Sequence, residues 1–127
     1  MAIDQQAASN LGQFTPQLIA DYDCHTGENP LWNPVDGRLY WCDIPYGRVF
    51  AYEPATGSHW LCMEGEAVGG FTIQEDGALI LFMARGAVKR WHKGKFTTIL
   101  EEIEEERENR FNDVIADPAG RVLCGTM

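Results

Sequence analysis

The sequence contains only two serines, Ser9 and Ser58, and neither lies in a G-x-S-x-G elbow, so a serine-hydrolase nucleophile is excluded. Its three histidines, His25, His59 and His92, stand far apart with no H-x-x-x-H pair, which removes the zincin motif. The four cysteines, Cys24, Cys42, Cys62 and Cys124, form no C-x-x-C pair, so neither a zinc knuckle nor a thioredoxin-type site is supported. Gly69-Gly70 lacks both the G-x-G-x-x-G pattern and the lysine of a phosphate loop. No run of about 18 apolar residues predicts a membrane span. Met1 to Asn10 has neither the basic nor the apolar part of a secretory leader. A cytoplasmic protein is the expectation.

Positive charge is also scarce: ten Lys plus Arg face nineteen Asp plus Glu, for a formal net charge of −9. Such a balance repels nucleic acid and anionic membranes, so neither is expected as a partner. The basic and aromatic stretch Lys89 to Lys95 reads as a solvated hairpin face. Much of the negative charge lies in one run, Glu101 to Glu108. It lacks the Gly and the alternating Asp or Asn of a calcium-binding EF-hand loop, and it reads as a solvated connection. Cys42, Cys62 and Cys124 sit in apolar strand-like segments and are expected as buried, reduced thiols.

What is abundant is repetition. Three stretches share a short apolar strand, a turn ending in Gly and a longer apolar strand: Pro30 to Asp43, Gly70 to Phe82, and Asp113 to Thr126. Their turn glycines, Gly37, Gly77 and Gly120, recur at intervals of 40 and 43 residues. The glutamate run falls within the longer interval. Each complete unit continues with a hairpin: Gly47–Glu53 and Ser58–Met63 about Pro54–Gly57, then Gly86–His92 and Lys95–Leu100 about Lys93-Gly94. Four short strands per repeat of about 40 residues are the mark of a β-propeller blade. A β-sandwich also has short strands, but it does not repeat the same segment three times. The second strand of each unit is apolar almost throughout, as expected where neighbouring blades cover both faces.

The predicted fold is therefore all-β, with about two and a half blades in one partial propeller domain. Residues 1–27 form an N-terminal segment, 28–67 the first blade, 68–109 the second, and 110–127 the start of a third. Propellers close with four to eight blades, and an open arc leaves strand edges unpaired. The expectation is thus a partial array of marginal stability, completed by a second chain or by self-association. Within the N-terminal segment, Gln17 to Tyr22 is expected to be a blade-closing strand whose partners lie elsewhere.

Gly27-Glu28-Asn29-Pro30-Leu31-Trp32, followed by Gly37 to Ile44, resembles the opening of the gluconolactonase family, which includes the senescence marker proteins (regucalcin) and luciferin-regenerating enzymes. A second matching motif is Arg110-Phe111-Asn112-Asp113, continuing through Asp117 to Met127 in the same register. The resemblance implies a six-bladed propeller that hydrolyses sugar lactones to aldonic acids with a divalent metal at the mouth of its tunnel. It implies that Glu28 is the first metal ligand, and that Arg110 and Asn112 contact the sugar lactone. Oxygen ligands of this kind suit Ca²⁺, Mg²⁺ or Mn²⁺ and tolerate Zn²⁺.

Asn29 and Val114 depart from the pattern, because both positions are usually Gly in the family. The family's other metal ligands, an Asn and an Asp on later blades, have no counterpart here. Nor does a Glu expected just beyond Met127. The catalytic residue is therefore unassigned, and metal binding by this chain alone is expected to be weak. Simpler roles stand beside the functional ones. Glu28 alone reads as a solvated loop carboxylate, Arg110 as a partner of nearby glutamates, and Asn112-Asp113 as an Asx turn. His25, three residues before Glu28, is a candidate for outer contact with the metal site. A non-catalytic module that assembles through its open blade edges is the rival function.

Overall fold

Each repeat folds back on itself at the predicted glycines, where Gly37, Gly77 and Gly120 take φ of +69°, +85° and +80°, a region that L side chains avoid. The computed structural model describes residues 14–127, so the reading of Met1 to Asn10 and the first part of the 1–27 segment lie outside the described residues. Four antiparallel strands make the first sheet: β1 (Gly27–Asn33), β2 (Arg38–Asp43), β3 (Arg48–Glu53) and β4 (Ser58–Met63), paired in chain order. The second repeats the pattern with β5 (Val68–Ile73), β6 (Leu79–Met83), β7 (Val88–His92) and β8 (Lys95–Leu100). A third sheet holds β9 (Phe111–Ala116) and β10 (Val122–Thr126). The fold is all-β, with two full blades and half of a third.

The apolar run of β6 has a direct cause. Leu79, Leu81 and Met83 pack toward the first sheet with Tyr40, Cys42, Val49, Ala51, Val68 and Phe71. Ile80 and Phe82 point the other way, onto Phe111 and Val114 of the third sheet. Successive side chains on a strand face opposite ways, so a strand between two neighbours must be apolar at every position. All five β6 residues are buried. Truncation of Leu81, which is fully buried, is expected to cost about 3–4 kcal/mol through lost transfer energy and the cavity left behind. Urea titration gives the comparison: Leu61→Ala on the outer strand β4, 41% exposed, is expected to cost about 1 kcal/mol or less.

Several sequence expectations resolve differently. Of the three cysteines read as buried, Cys42 is buried, Cys62 half-buried and Cys124 exposed. Cys124 lies on β10, whose outer edge no described strand covers. Burial pushes the Cys42 thiol up to about 12 and the Cys62 thiol to about 11, so both are protonated at neutral pH. Gln17 to Tyr22 forms no ladder with any of the described residues. Its end is nonetheless anchored: the Tyr22 ring stacks on Phe50 at 4.2 Å, and its hydroxyl meets His59 Nδ1 at 2.8 Å. The glutamate run is exposed at Glu101, Glu104, Glu105, Arg107 and Glu108 and half-buried at Glu102, Ile103 and Glu106; Ile103 packs beside Ile80 and Phe82, and the run makes one 3-10 turn, Glu104–Glu106. The basic stretch is the β7–β8 hairpin, in which Arg90 pairs with Asp76. No helix among the described residues is long and apolar enough to cross a membrane.

Candidate functional site

Each innermost strand carries an irregularity near its start. On β1 the register slips between Glu28, opposite Cys42, and Leu31, opposite Tyr40. On β5 it slips between Val68 and Gly70, and on β9 at Asp113, between the pairs formed by Asn112 and Val114. Asn29 and Asp113 take φ of +60° and +51° there. Bulges bend a strand and re-aim the flanking side chains, and they concentrate beside functional sites. The Asx turn expected at Asn112-Asp113 is thus a strand bulge.

The three bulges stand level. A Cβ on Gly69 would lie 1.8 Å from the Phe111 carbonyl oxygen, so β5 and β9 touch backbone to backbone. A Cβ on Gly70 would lie 2.7 Å from Asn29 Oδ1 and 2.8 Å from Val114 Cγ2. The two positions that depart from the family pattern therefore converge on this one glycine. Asn29 keeps a glycine-like backbone, because Asn tolerates the left-handed region better than most residues. The second blade contributes backbone alone at this height.

Glu28, Arg110 and Asn112 thereby share one end of the molecule. Glu28 is exposed, and its carboxylate has no hydrogen-bond or ion-pair partner among the described residues. It borders a cavity of about 240 Å³ with Cys24, Gly27, Pro30 and Trp41. Arg110 does not pair with the glutamate run. Its Nη1 donates to the Phe111 carbonyl at 3.0 Å and to Asn112 Oδ1 at 3.1 Å. That contact fixes the Asn112 amide and leaves its Nδ2 without a hydrogen-bond partner among the described residues. Asn112 borders a separate groove of about 430 Å³ with Val114, Leu123 and Gly125. The structure does not bring Glu28 and Asn112 into one cavity. His25 bonds its neighbour Thr26 at 2.9 Å rather than Glu28.

The first inner strand is held from outside by a contact that the motifs did not reveal. Fully buried Asp43 accepts from the Thr26 amide at 2.7 Å and from Arg48 Nε at 3.0 Å. Arg48 also donates to the carbonyls of Tyr22 and Asp23, at 3.3 Å each, and so fixes the approach to β1. Burial works to raise the Asp43 pKa, but the Thr26 and Arg48 hydrogen bonds outweigh it and hold the carboxyl below its ordinary 3.8. A depressed folded value means that this stabilisation is complete above about pH 4–5 and is lost as pH falls through the folded value. In acid titrations of unfolding, the stability gap between wild type and Asp43→Asn should stay constant from about pH 5 to 8 and narrow below about pH 4.

One carboxylate does not make a metal site. Among the described residues, no three His, Cys, Asp or Glu side chains gather where they would hold an ion. Glu28 fits as a single oxygen ligand, with the rest of a coordination sphere still to be supplied. A cavity of about 280 Å³ between Asp36, Arg38, Tyr40, Asp76, Trp91 and His92 lies at the opposite, turn end of the sheets, and another of about 350 Å³ is bordered by Glu64, Glu66, Met83, Arg85, Lys89 and Phe96.

Repeated four-stranded sheets joined through bulged inner strands define part of a β-propeller. The sequence profile of the SMP-30/gluconolactonase/LRE-like region matches residues 26–127, and the chain belongs to that family. It is 48% identical over 114 residues to pentonolactonase XacC of Haloferax volcanii, covering 90% of this chain and 38% of that protein. It is 34% identical over 102 residues to 6-deoxy-6-sulfogluconolactonase of Pseudomonas putida, covering 80% of this chain and 35% of that one. The calcium-binding regucalcin of Agrobacterium tumefaciens superposes with a TM-score of 0.77 at 19% identity, over 90% of this chain and 39% of its own. The chain thus spans between a third and two fifths of the length of these relatives.

Proposed function

We propose that this chain supplies part of the catalytic face of a cytoplasmic, divalent-metal-dependent hydrolase that opens a gluconolactone-like sugar lactone to its aldonic acid. The observation that carries the reading is the unpartnered Glu28 carboxylate, level with the Arg110–Asn112 pair at the bulged ends of adjoining inner strands. The two lactonase relatives and the calcium-binding structural neighbour support it. Glu28 is assigned as one ligand to Ca²⁺, Zn²⁺, Mg²⁺ or Mn²⁺. When bound, such an ion polarises a lactone carbonyl and acidifies water. Asn112 offers its free amide hydrogens to the sugar oxygens, and Arg110 holds that amide in place while bringing a positive charge to the same rim. The general base is not assigned to any residue here. Gln17 to Tyr22 is assigned as a strand that pairs with a later blade.

The test is a chimaera in which this chain replaces the matched stretch of the Haloferax volcanii pentonolactonase. Acid release from gluconolactone or a pentonolactone, followed by pH-stat, is expected with added Ca²⁺, Mn²⁺ or Zn²⁺ and absent in EDTA. A folded chimaera without metal-dependent hydrolysis overturns the reading. The 127-residue chain alone is expected to show no metal-dependent rate.

One observation favours the second reading, a non-catalytic assembly module. Ile115, Leu123 and Met127 are exposed around the open edge of β10, and unpaired edges are templates for pairing. Light scattering separates the two: a module that works by self-pairing runs as a stable oligomer and leaves the chimaera inactive.

A further inference from the structure

Asn29 does more than occupy a bulge. Its Oδ1 accepts from the Phe71 amide at 3.2 Å, and its Nδ2 donates to the Phe71 carbonyl at 3.3 Å. Phase and partner are those of a strand residue, because β5 is an edge strand and Phe71 offers both backbone groups on the side away from β6. A single carboxamide thus pairs with a free sheet edge 42 residues along the chain. Gly70 makes the approach possible, since a Cβ there would sit 2.7 Å from Asn29 Oδ1. Asn29 is half-buried and follows Glu28 directly. Because both amide groups are spent on Phe71, the side chain is not itself free to act as a ligand.

We propose that Asn29 is a positioning residue, clasping the first inner strand to the second and thereby holding the Glu28 bulge in one conformation before any ion arrives. The consequence for metal binding rests on the assignment of Glu28 as a ligand; the clasp itself does not. Asn tolerates the left-handed backbone at position 29, and the two-point amide contact adds an outside restraint that holds it there. The far end of β1 has a matching tie, where buried Asn33 donates to the Gly77 carbonyl at 3.0 Å. That tie secures the far end of the strand, the ladder to β2 holds Gly27 and Glu28 from one side, and the Asn29 contact holds the bulge from the other.

The decisive variant is Asn29→Gly, which accepts the same φ and removes only the amide. In the 127-residue chain, amide exchange at Phe71 is expected to quicken about tenfold, the ratio that follows from losing a contact of roughly 1.4 kcal/mol. The ¹⁵N order parameter at Glu28 is expected to fall from about 0.85 to below about 0.6, with β2–β4 unchanged. Unchanged exchange at Phe71 overturns the clasp. Faster exchange with Glu28 still rigid also overturns the proposal, leaving only a structural joint. Neither readout contains metal or lactone, so their failure is separate from failure of the hydrolase reading. In the chimaera, Asn29→Gly is expected to raise the Mn²⁺ concentration for half-maximal rate about tenfold, as for other residues that orient a ligand. An unshifted Mn²⁺ requirement, where Glu28→Gln does shift it, removes the positioning role.

Discussion

Glu28→Gln is expected to lower lactone hydrolysis by the chimaera at least about 100-fold at limiting metal, more than is typical for a residue that only orients a ligand. Glutamine keeps the length and one carbonyl oxygen but loses the negative charge that attracts a hard cation. The side chain has no partner to leave stranded among the described residues, so folding should be unaffected. That separation makes the variant informative: the urea midpoint stays where it was while the metal requirement rises. Partial recovery at high Mn²⁺ is the signature of a weakened ligand. A rate indifferent to the substitution at every metal concentration would place the ion elsewhere.

Gly69→Ala is expected to cost about 3 kcal/mol or more, at the upper end of what overpacking costs and on a par with truncation of Leu81. The new Cβ would lie 1.8 Å from the Phe111 oxygen and 2.3 Å from its carbonyl carbon. Both are backbone atoms, so no rotamer change relieves the clash, and β9 must leave β5. Gly70→Ala meets only the Asn29 amide tip and a Val114 methyl, and is expected to cost about 1–2 kcal/mol. Urea titration gives the order. Hydrogen exchange locates it: protection should fall across β9 and β10 and persist in β1–β4.

The repeat was legible because it is written in local chemistry. Turn glycines, alternation and the two-sided apolar run of β6 each follow from what one strand or turn needs, and those needs recur every blade. The placement of Glu28, Arg110 and Asn112 at one end follows from their common position at the start of an inner strand. What stayed hidden was long-range. Nothing local marks Gly69 and Gly70 as the contact surface between blades, since a glycine pair reads equally well as a loop. Asn29 looked like a departure from pattern, because its partner is a backbone group 42 residues away. The Asp43–Arg48 pair was hidden for a related reason: a charge next to an apolar strand reads as solvated until the N-terminal segment is folded over it.

The connectivity of the sheets has a bearing on the order in which the molecule assembles. Every ladder among the described residues joins strands adjacent in sequence, whereas contacts between blades such as Asn33 with Gly77 span 44 residues. Short loops close early and cheaply, so the hairpins of one blade can form while the next is still unfolded. On a ribosome, which releases the N-terminal end first, the first sheet has its full complement of strands once Met63 has emerged. Its apolar face must wait for Leu79, Leu81 and Met83. Translation therefore lays each blade down with one face open to the nascent-chain environment and seals it one repeat later.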